Sequence, residues 1–285
     1  MAHTGNGADL ARRRFPQSAL GVVAAWLATT GTVVARPTLV RADDTPTTAT
    51  PARTNLRQRF AIVNADDLGM AAEIDRGIFE AHDRGIVSST SLMVDGPDAE
   101  AAIRQTRQRP DLGVGIHVAF DASGKWLFDA PDLDRIQREL DRQLTAFVGL
   151  TGGPPDHIDS HHHVHGRFNV ARLFLEAGRR YGVPVRGFSD AVYTGGFYGQ
   201  PEFGRTDMSR ITVDALLSLL RSLKPGISEV SCHPGYLRAR PDAVYNLERE
   251  EELRTLTDAR LKTMIAEEGI RLINYRDYAR LVGTQ

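Results

Sequence analysis

From Phe60 onward, short apolar runs alternate along the chain with longer segments in which apolar residues recur at helical spacing. The apolar runs have the length of buried strands, and we predict strands at 60–63, 88–94, 113–118, 183–186, 227–232 and 270–273, with a further strand entering the stretch 157–165. The amphipathic segments predict helices near 73–84, 98–109, 132–148, 170–181, 212–223 and 247–268, and then a short terminal helix, while the Gly- and aromatic-rich segment 189–207 predicts a loop. Strand and helix alternate about seven times without a long break, which predicts a single α/β domain built on a parallel sheet.

Five of the nine histidines fall in the stretch 157–165, which reads His-Ile-Asp-Ser-His-His-His-Val-His. Imidazole is the commonest protein ligand for metals. If the strand that enters this stretch continues through it, His161, His163 and His165 share one face, because side chains alternate along a strand. A polar loop exposed to solvent is the alternative interpretation of such a tract.

Ionisable residues also follow other predicted strands. Asp66 and Asp67 come at the end of the first strand, His117 ends the third, and His233 follows the sixth, so that together with His161 they mark four strand ends. Each has an ordinary explanation, since aspartate can cap a helix, a lone histidine can lie in the core, and His-Pro-Gly can form a turn. The carboxyl ends of parallel strands converge on one face, where active sites are built. The recurrence at several strand ends therefore favours a functional site.

One carboxylate and two imidazoles form an open three-ligand metal site that leaves a position for water or substrate. A second, adjacent carboxylate is then free to act as a general base. A histidine from another strand end can act as general acid or stabilise developing charge. Such a set suits metal-assisted hydrolysis of an amide or ester. These ligand types accept zinc, iron, cobalt, manganese or magnesium, and we expect one divalent ion, Mg²⁺ or Zn²⁺.

The composition excludes some classes of partner. Lys plus Arg is 35 and Asp plus Glu is 36, so the formal net charge of −1 gives no electrostatic basis for binding nucleic acid. Cys232 is the only cysteine, which excludes an intrachain disulfide. Apolar residues make up 41% of the chain, enough for a substantial core. The sequence leaves a homodimer open.

The N-terminal residues differ from the rest of the chain. The basic run Arg12–Arg14 precedes an apolar run from Ala19 to Ala35, and small residues follow. This order is typical of a secretory signal peptide, and paired arginines are typical of a twin-arginine signal. We therefore predict a signal peptide at 1–42, a disordered linker at 43–58 and the folded domain at 59–285. A membrane anchor is the alternative, but an apolar run of about 17 residues is short for a spanning helix.

We accordingly expect export to the periplasm or the cell exterior, with no stable membrane insertion once the signal has been cleaved. A cytoplasmic location follows instead if the N-terminal segment does not function as a signal.

Five segments resemble, in the same order and approximate spacing, the motifs of the YdjC/ChbG-like carbohydrate deacetylases. They are Ile62–Gly69, Ser89–Val94, Gly115–His117, His157–His165 and Ser231–Tyr236, and the later segment Tyr245–Leu253 is also similar. The resemblance implies a (β/α) barrel of the TIM type, distorted and with about seven strands. It also implies a hydrolase that removes an N-acetyl group from an acetylated carbohydrate such as a chito-oligosaccharide.

The resemblance further implies roles for the residues at matching positions. Asp67, His117 and His161 are the implied metal ligands. Asp66 is the implied base that deprotonates the attacking water, and His233 is the candidate acid that protonates the leaving amine.

Neighbouring residues are expected to support the ligands or to contact the sugar. His163 and His165 are candidates for both tasks, because metal-bound imidazoles need their second nitrogen oriented. Aromatic residues that suit sugar stacking, or alternatively packing against the barrel rim, are Trp126, Phe197, Tyr198, Phe203 and Tyr236.

Two other functions are compatible with the same pattern. Another metal hydrolase on this barrel, such as a phosphoesterase or an amidohydrolase, uses similar ligands, although amidohydrolases place a His-x-His pair at the first strand, where this chain has Asp66-Asp67. The other is a non-catalytic exported protein that binds carbohydrate or metal. Asp66 beside Asp67 argues against it, because binding alone requires no free base.

Overall fold

The computed structural model describes residues 58–120, 132–202, 204–237 and 244–283. Within them, seven strands form one parallel sheet: β1 Arg59–Leu68, β2 Ser89–Leu92, β3 Gly113–Val118, β4 Ile158–Ser160, β5 Ala191–Thr194, β6 Gly226–Cys232 and β7 Ile270–Leu272. The strand order is β4-β3-β2-β1-β6-β5, and β7 pairs with the first residues of β1. The curled parallel sheet with its helices confirms the predicted barrel-like α/β fold.

The helices of the described residues lie between successive strands, except the last, which follows β7. They are α1 Ala72–Asp83, α2 Ala99–Thr106, α3 Leu133–Thr151, α4 Phe168–Tyr181, α5 Val213–Ser222, α6 Leu247–Leu256, α7 Ala259–Glu267 and α8 Tyr275–Val282. The single helix predicted at 247–268 is two helices, because the side chain of Asp258 caps a new one by accepting a hydrogen bond from the backbone N–H of Arg260.

One predicted strand and one predicted loop differ from the structure. The segment 183–186 contributes only a bridge from Val185 to Ile158, which extends the sheet beyond β4. Strand β5 lies inside the segment 189–207, where we predicted a loop. Only Ala191 in β5 is buried, so the strand lacks the apolar signal of the others.

Strand β1 lies at the centre of the sheet, and nine of its ten residues are buried. Helix α1 packs directly against the loop that follows β6, because neither of two facing glycines has a side chain. A Cβ added to Gly77 would lie 2.5 Å from the Cα of Gly235. The backbone N–H of Tyr236 donates to the carbonyl of Glu73 at 3.1 Å, which holds the loop on the helix.

The described residues all belong to one compact unit. Within this part of the chain, no helix combines the length and the apolar character that crossing a lipid bilayer requires. The predicted signal peptide and linker lie outside the described residues, apart from Gln58.

Candidate metal and active site

Three side chains that are far apart in the sequence meet at the carboxyl ends of the strands. Asp67 lies at the end of β1, His117 in β3, and His161 directly after β4. Oδ1 of Asp67 is 3.3 Å from Nε2 of His117 and 3.2 Å from Nδ1 of His161. One ligand atom from each residue lies within 4.8 Å of the others. The structure thus brings the predicted ligands together, and their binding of a metal stays a prediction.

The donor set fits a divalent metal ion. Oδ1 of Asp67 is buried, and within the described residues it accepts no hydrogen bond of acceptable geometry. A buried carboxylate oxygen without a partner costs free energy, which a bound cation removes. A second cluster, formed by Asp66, His117 and Asp159, is a poorer fit, because Arg186 already pairs with both of its carboxylates.

A bulge at the end of β1 lets two consecutive aspartates face the same interior. Successive residues of a regular strand point to opposite faces. The pairing between β1 and β2 shifts register between Ala65 and Leu68, and Asp67 has a φ of +75°. Asp66 and Asp67 are 2% and 1% exposed. A left-handed conformation costs about 1–3 kcal/mol outside glycine, so the surrounding structure must stabilise this turn.

His117 is oriented by a neighbouring carboxylate. Its Nδ1 donates to Oδ1 of Asp159 at 2.7 Å, which leaves Nε2 facing Asp67. Burial lowers the pKa of His117, but Asp159 and Asp66 outweigh it and raise the pKa to about 10. A metal-bound histidine commonly has this type of carboxylate partner.

Asp66 is held by the buried guanidinium of Arg186. The two carboxylate oxygens accept hydrogen bonds of 2.7 Å each from Nη1 and Nη2 of Arg186, and Oδ1 also accepts one of 2.8 Å from Asn64. Burial raises the pKa of Asp66, but Arg186 and His117 together outweigh it, and the pKa falls to about 2. Arg186 also lies 2.8 Å from a carboxylate oxygen of Asp159 and 2.8 Å from one of Glu229.

Arg186 was not among the predicted site residues, although the sequence carries a signal for it. It is the last residue of the predicted strand 183–186, and the other site residues also lie at the ends of predicted strands. Asp159 lay within the histidine stretch, but nothing in the sequence indicated that it pairs with His117.

His233 lies beside Asp66. Its Nε2 is 3.8 Å from Oδ2 of Asp66, and its backbone N–H donates to the buried carboxylate of Glu252. Burial lowers the pKa of His233 to about 4 and raises that of Glu252 to about 8. The rings of Tyr198 and Tyr245 stack on each other and both contact the imidazole edge to face, at 5.3 and 5.6 Å between centroids.

The histidine stretch does not continue as a strand. The extended conformation ends at Ser160, and a 3-10 helix covers His161–Gly166, with His162 and His163 in the left-handed region. The expectation that His161, His163 and His165 share one face was therefore wrong. Only His161 faces Asp67, while His165 is buried and its Nδ1 bonds to the Ser160 hydroxyl at 2.7 Å. His163 lies 3.3 Å from the hydroxyl of Tyr193.

The predicted aromatic contacts fall into different surroundings. Phe197 is 1% exposed and belongs to the core, so its proposed sugar stacking was wrong. The hydroxyl of Tyr236 donates to Glu80, and its ring lies beneath the guanidinium of Arg76. Trp126 and Phe203 lie outside the part of the chain that the structure describes.

Comparison with known proteins identifies relatives over most of the chain. The family model for the YdjC-like proteins matches residues 60–267. A carbohydrate deacetylase of Geobacillus stearothermophilus is 36% identical over 78% of this chain and 99% of the relative. A chitooligosaccharide deacetylase of Serratia marcescens is 33% identical over 77% of this chain and 99% of the relative.

Solved structures agree with this placement. A protein of Enterococcus faecalis V583, described as a candidate cellobiose-phosphate cleavage protein, superposes with a TM-score of 0.64 at 26% identity, over 78% of this chain and 99% of that one. The catalytic domain of a peptidoglycan N-acetylglucosamine deacetylase from Eubacterium rectale shares the fold, with a TM-score of 0.52 at 15% identity over 79% and 92% of the two chains. The family match and the identity to its curated relatives confirm the resemblance of the sequence motifs, and the chain belongs to the family of YdjC-like proteins.

Proposed function

We propose that this protein is a metal-dependent hydrolase that removes an N-acetyl group from an acetylated carbohydrate of the chito-oligosaccharide type. The observation that carries the proposal is the meeting of Asp67, His117 and His161 beside Asp66, a second buried carboxylate that is not needed as a ligand. Curated relatives at 31–36% identity are named carbohydrate or chitooligosaccharide deacetylases, which supports an amide-hydrolysing enzyme.

A divalent cation held by Asp67, His117 and His161 would polarise the acetyl carbonyl and lower the pKa of a water molecule beside it. Asp66, with a pKa of about 2, is a weak base. It can therefore accept a proton only from water that has been made more acidic.

In the proposed reaction Asp66 takes a proton from water, and the resulting hydroxide adds to the acetyl carbon. Cleavage of the C–N bond then gives acetate and a free amine, once the nitrogen has received a proton. His233 has a pKa of about 4 and is neutral near pH 7, so it does not hold a proton in advance. Because its Nε2 lies 3.8 Å from Asp66, we assign His233 to passing the proton of Asp66 to the leaving nitrogen.

Export remains part of the proposal. The match to the family begins at residue 60, downstream of the segment that we predict to be a signal peptide. The enzyme would then meet its sugar outside the cytoplasm.

A panel of substrates tests the function. Purified protein is incubated with diacetylchitobiose, an O-acetylated xylo-oligosaccharide and p-nitrophenyl phosphate, with and without a chelator. We expect diacetylchitobiose to yield acetate and free amine in equal amounts, and the chelator to stop the reaction. Phosphate release without acetate would indicate another barrel hydrolase. Binding of sugar or metal with no product from any substrate would indicate a non-catalytic protein.

A further inference from the structure

Arg249 in α6 contacts two separate parts of the site. Its Nη2 donates to Oδ2 of Asp67 at 2.5 Å, and its Nη1 donates to the backbone carbonyl of His233 at 3.4 Å. The Nε donates to the carbonyl of Tyr245 at 3.1 Å. The side chain is 6% exposed, so these bonds form in the interior. One guanidinium therefore joins the end of β1 to the loop that follows β6.

The two carboxylate oxygens of Asp67 have different surroundings. Oδ2 accepts the hydrogen bond from Arg249, whereas Oδ1 faces the imidazoles of His117 and His161. A guanidinium paired with Oδ2 occupies that oxygen and places a positive charge beside it. A second cation that approaches Asp67 can therefore use only Oδ1.

Helix α6 also holds the loop that carries His233. The backbone N–H of His233 donates to Glu252 of the same helix, and the N–H of Gly235 donates to the carbonyl of Arg249 at 3.1 Å. The loop position is thus set by α6, and Arg249 is the residue of this helix that also reaches Asp67. Arginine suits such a task because its planar fork makes directed bonds to two acceptors, which the ammonium of lysine does not reproduce.

We propose that Arg249 is a positioning residue that restricts Asp67 to binding the metal through one oxygen and holds the loop that keeps His233 beside Asp66. The inference rests on the proposed metal-dependent function. Arg249 is neither a proposed metal ligand nor the proposed base or acid. Its role is to decide the geometry in which Asp67 binds the metal.

The test compares R249M, R249K and wild type after loading with Co²⁺, whose visible absorption weakens as its coordination number rises. Arg254 of the same helix is largely exposed and pairs with Glu251, so R254M is the matched control. In R249M both oxygens of Asp67 become available, and we expect weaker Co²⁺ absorption together with a fall of about 10- to 100-fold in turnover of diacetylchitobiose. R254M should match wild type in both measurements.

R249K keeps a positive charge beside Oδ2 but loses the fork. We expect it to retain the wild-type Co²⁺ spectrum and to lose turnover. If thermal melting shows that R249M does not fold, the comparison of R249K with wild type is the test. An altered Co²⁺ spectrum or an unchanged turnover in R249K then overturns the proposal. An unchanged spectrum in folded R249M overturns it whatever the turnover. If wild type binds Co²⁺ but releases no acetate, the proposed function fails, whereas the spectra still test Arg249.

Discussion

Asp159 accepts a hydrogen bond of 2.7 Å from Nδ1 of His117, and the opposite nitrogen of the same ring faces Asp67 at 3.3 Å. A charged carboxylate accepts but does not donate, so Asp159 keeps a proton on Nδ1. Because the pKa of His117 is raised to about 10, Nε2 also carries a proton in the metal-free site, and a cation bound there would displace that second proton. Asp159 in β4 therefore prepares a residue of β3 to bind a metal.

Replacing Asp159 with asparagine should weaken metal binding. The amide can donate to Nδ1, which favours a proton on Nε2 and opposes metal binding. We expect a loss of about 10- to 100-fold in metal affinity, measured by competition with a chromophoric chelator. Asp141, a half-buried residue of α3 that pairs with Arg180, gives the matched control D141N, which should bind as wild type. Equal affinity in D159N and wild type would refute the orienting role.

The histidine stretch provides its own matched pair. H161A should lose most of its bound metal, because it removes a nitrogen that lies 3.2 Å from Asp67. H162A removes the adjacent, exposed imidazole and should keep its metal. Metal content per chain, measured by mass spectrometry of the dialysed proteins, checks both. Equal content in H161A and H162A would contradict the ligand assignment.

Asp66→Asn should separate binding from catalysis. The amide cannot accept a proton, but it leaves the oxygen and nitrogens of the ligand set in place. We expect near-normal metal content and a fall in turnover on the order of 10²–10⁴-fold. Steady-state release of acetate measures the turnover, and near-normal release by D66N would exclude Asp66 as the base.

Asp75 should make stability depend on pH. Burial is the largest cause that raises its pKa from 3.8 to about 7, while it accepts a 2.6 Å hydrogen bond from the N–H of Gly69. The folded state thus binds this proton more tightly than the unfolded state, so the contribution of Asp75 to stability falls as the pH rises from about 4 to about 7.

Asparagine at position 75 keeps an acceptor for Gly69 and does not titrate. The stability of D75N relative to wild type should therefore increase between pH 5 and pH 8. Urea unfolding at pH 5 and pH 8 measures the free energy of unfolding of both proteins. D98N, which removes the charge of a neighbour of Asp75, is measured as a comparison. A difference between D75N and wild type that is the same at both values would contradict the proposed burial of the charge.

Much of this site follows from the sequence, because the rule that parallel strands end at one face needs no tertiary detail. Asp66, Asp67, His117, His161 and His233 each lie at the end of a predicted strand, and the structure places them close together. The long periodic segments likewise predicted most of the helices, because those helices bury an apolar face. Helix α6 is the exception, since its buried residues include Glu248, Arg249 and Glu252.

What the sequence did not indicate depends on contacts between distant segments. Arg186 follows a run that forms a single bridge instead of a strand, and the carboxylates it holds come from three different strands. The bulge that turns Asp67 inward depends on the pairing of β1 with β2. The turn after Ser160, which sends neighbouring histidines in different directions, requires left-handed backbone that no local pattern specified.

The most direct test of the metal-dependent mechanism is a titration of metal-free protein. Increasing amounts of divalent metal are added, and acetate release from diacetylchitobiose is measured at each step. Acetate release should rise in proportion to added metal and reach its plateau at one ion per chain, with D66N binding the same ion but releasing little acetate. Full release from the metal-free protein would contradict the central claim that Asp67, His117 and His161 hold the metal on which deacetylation depends.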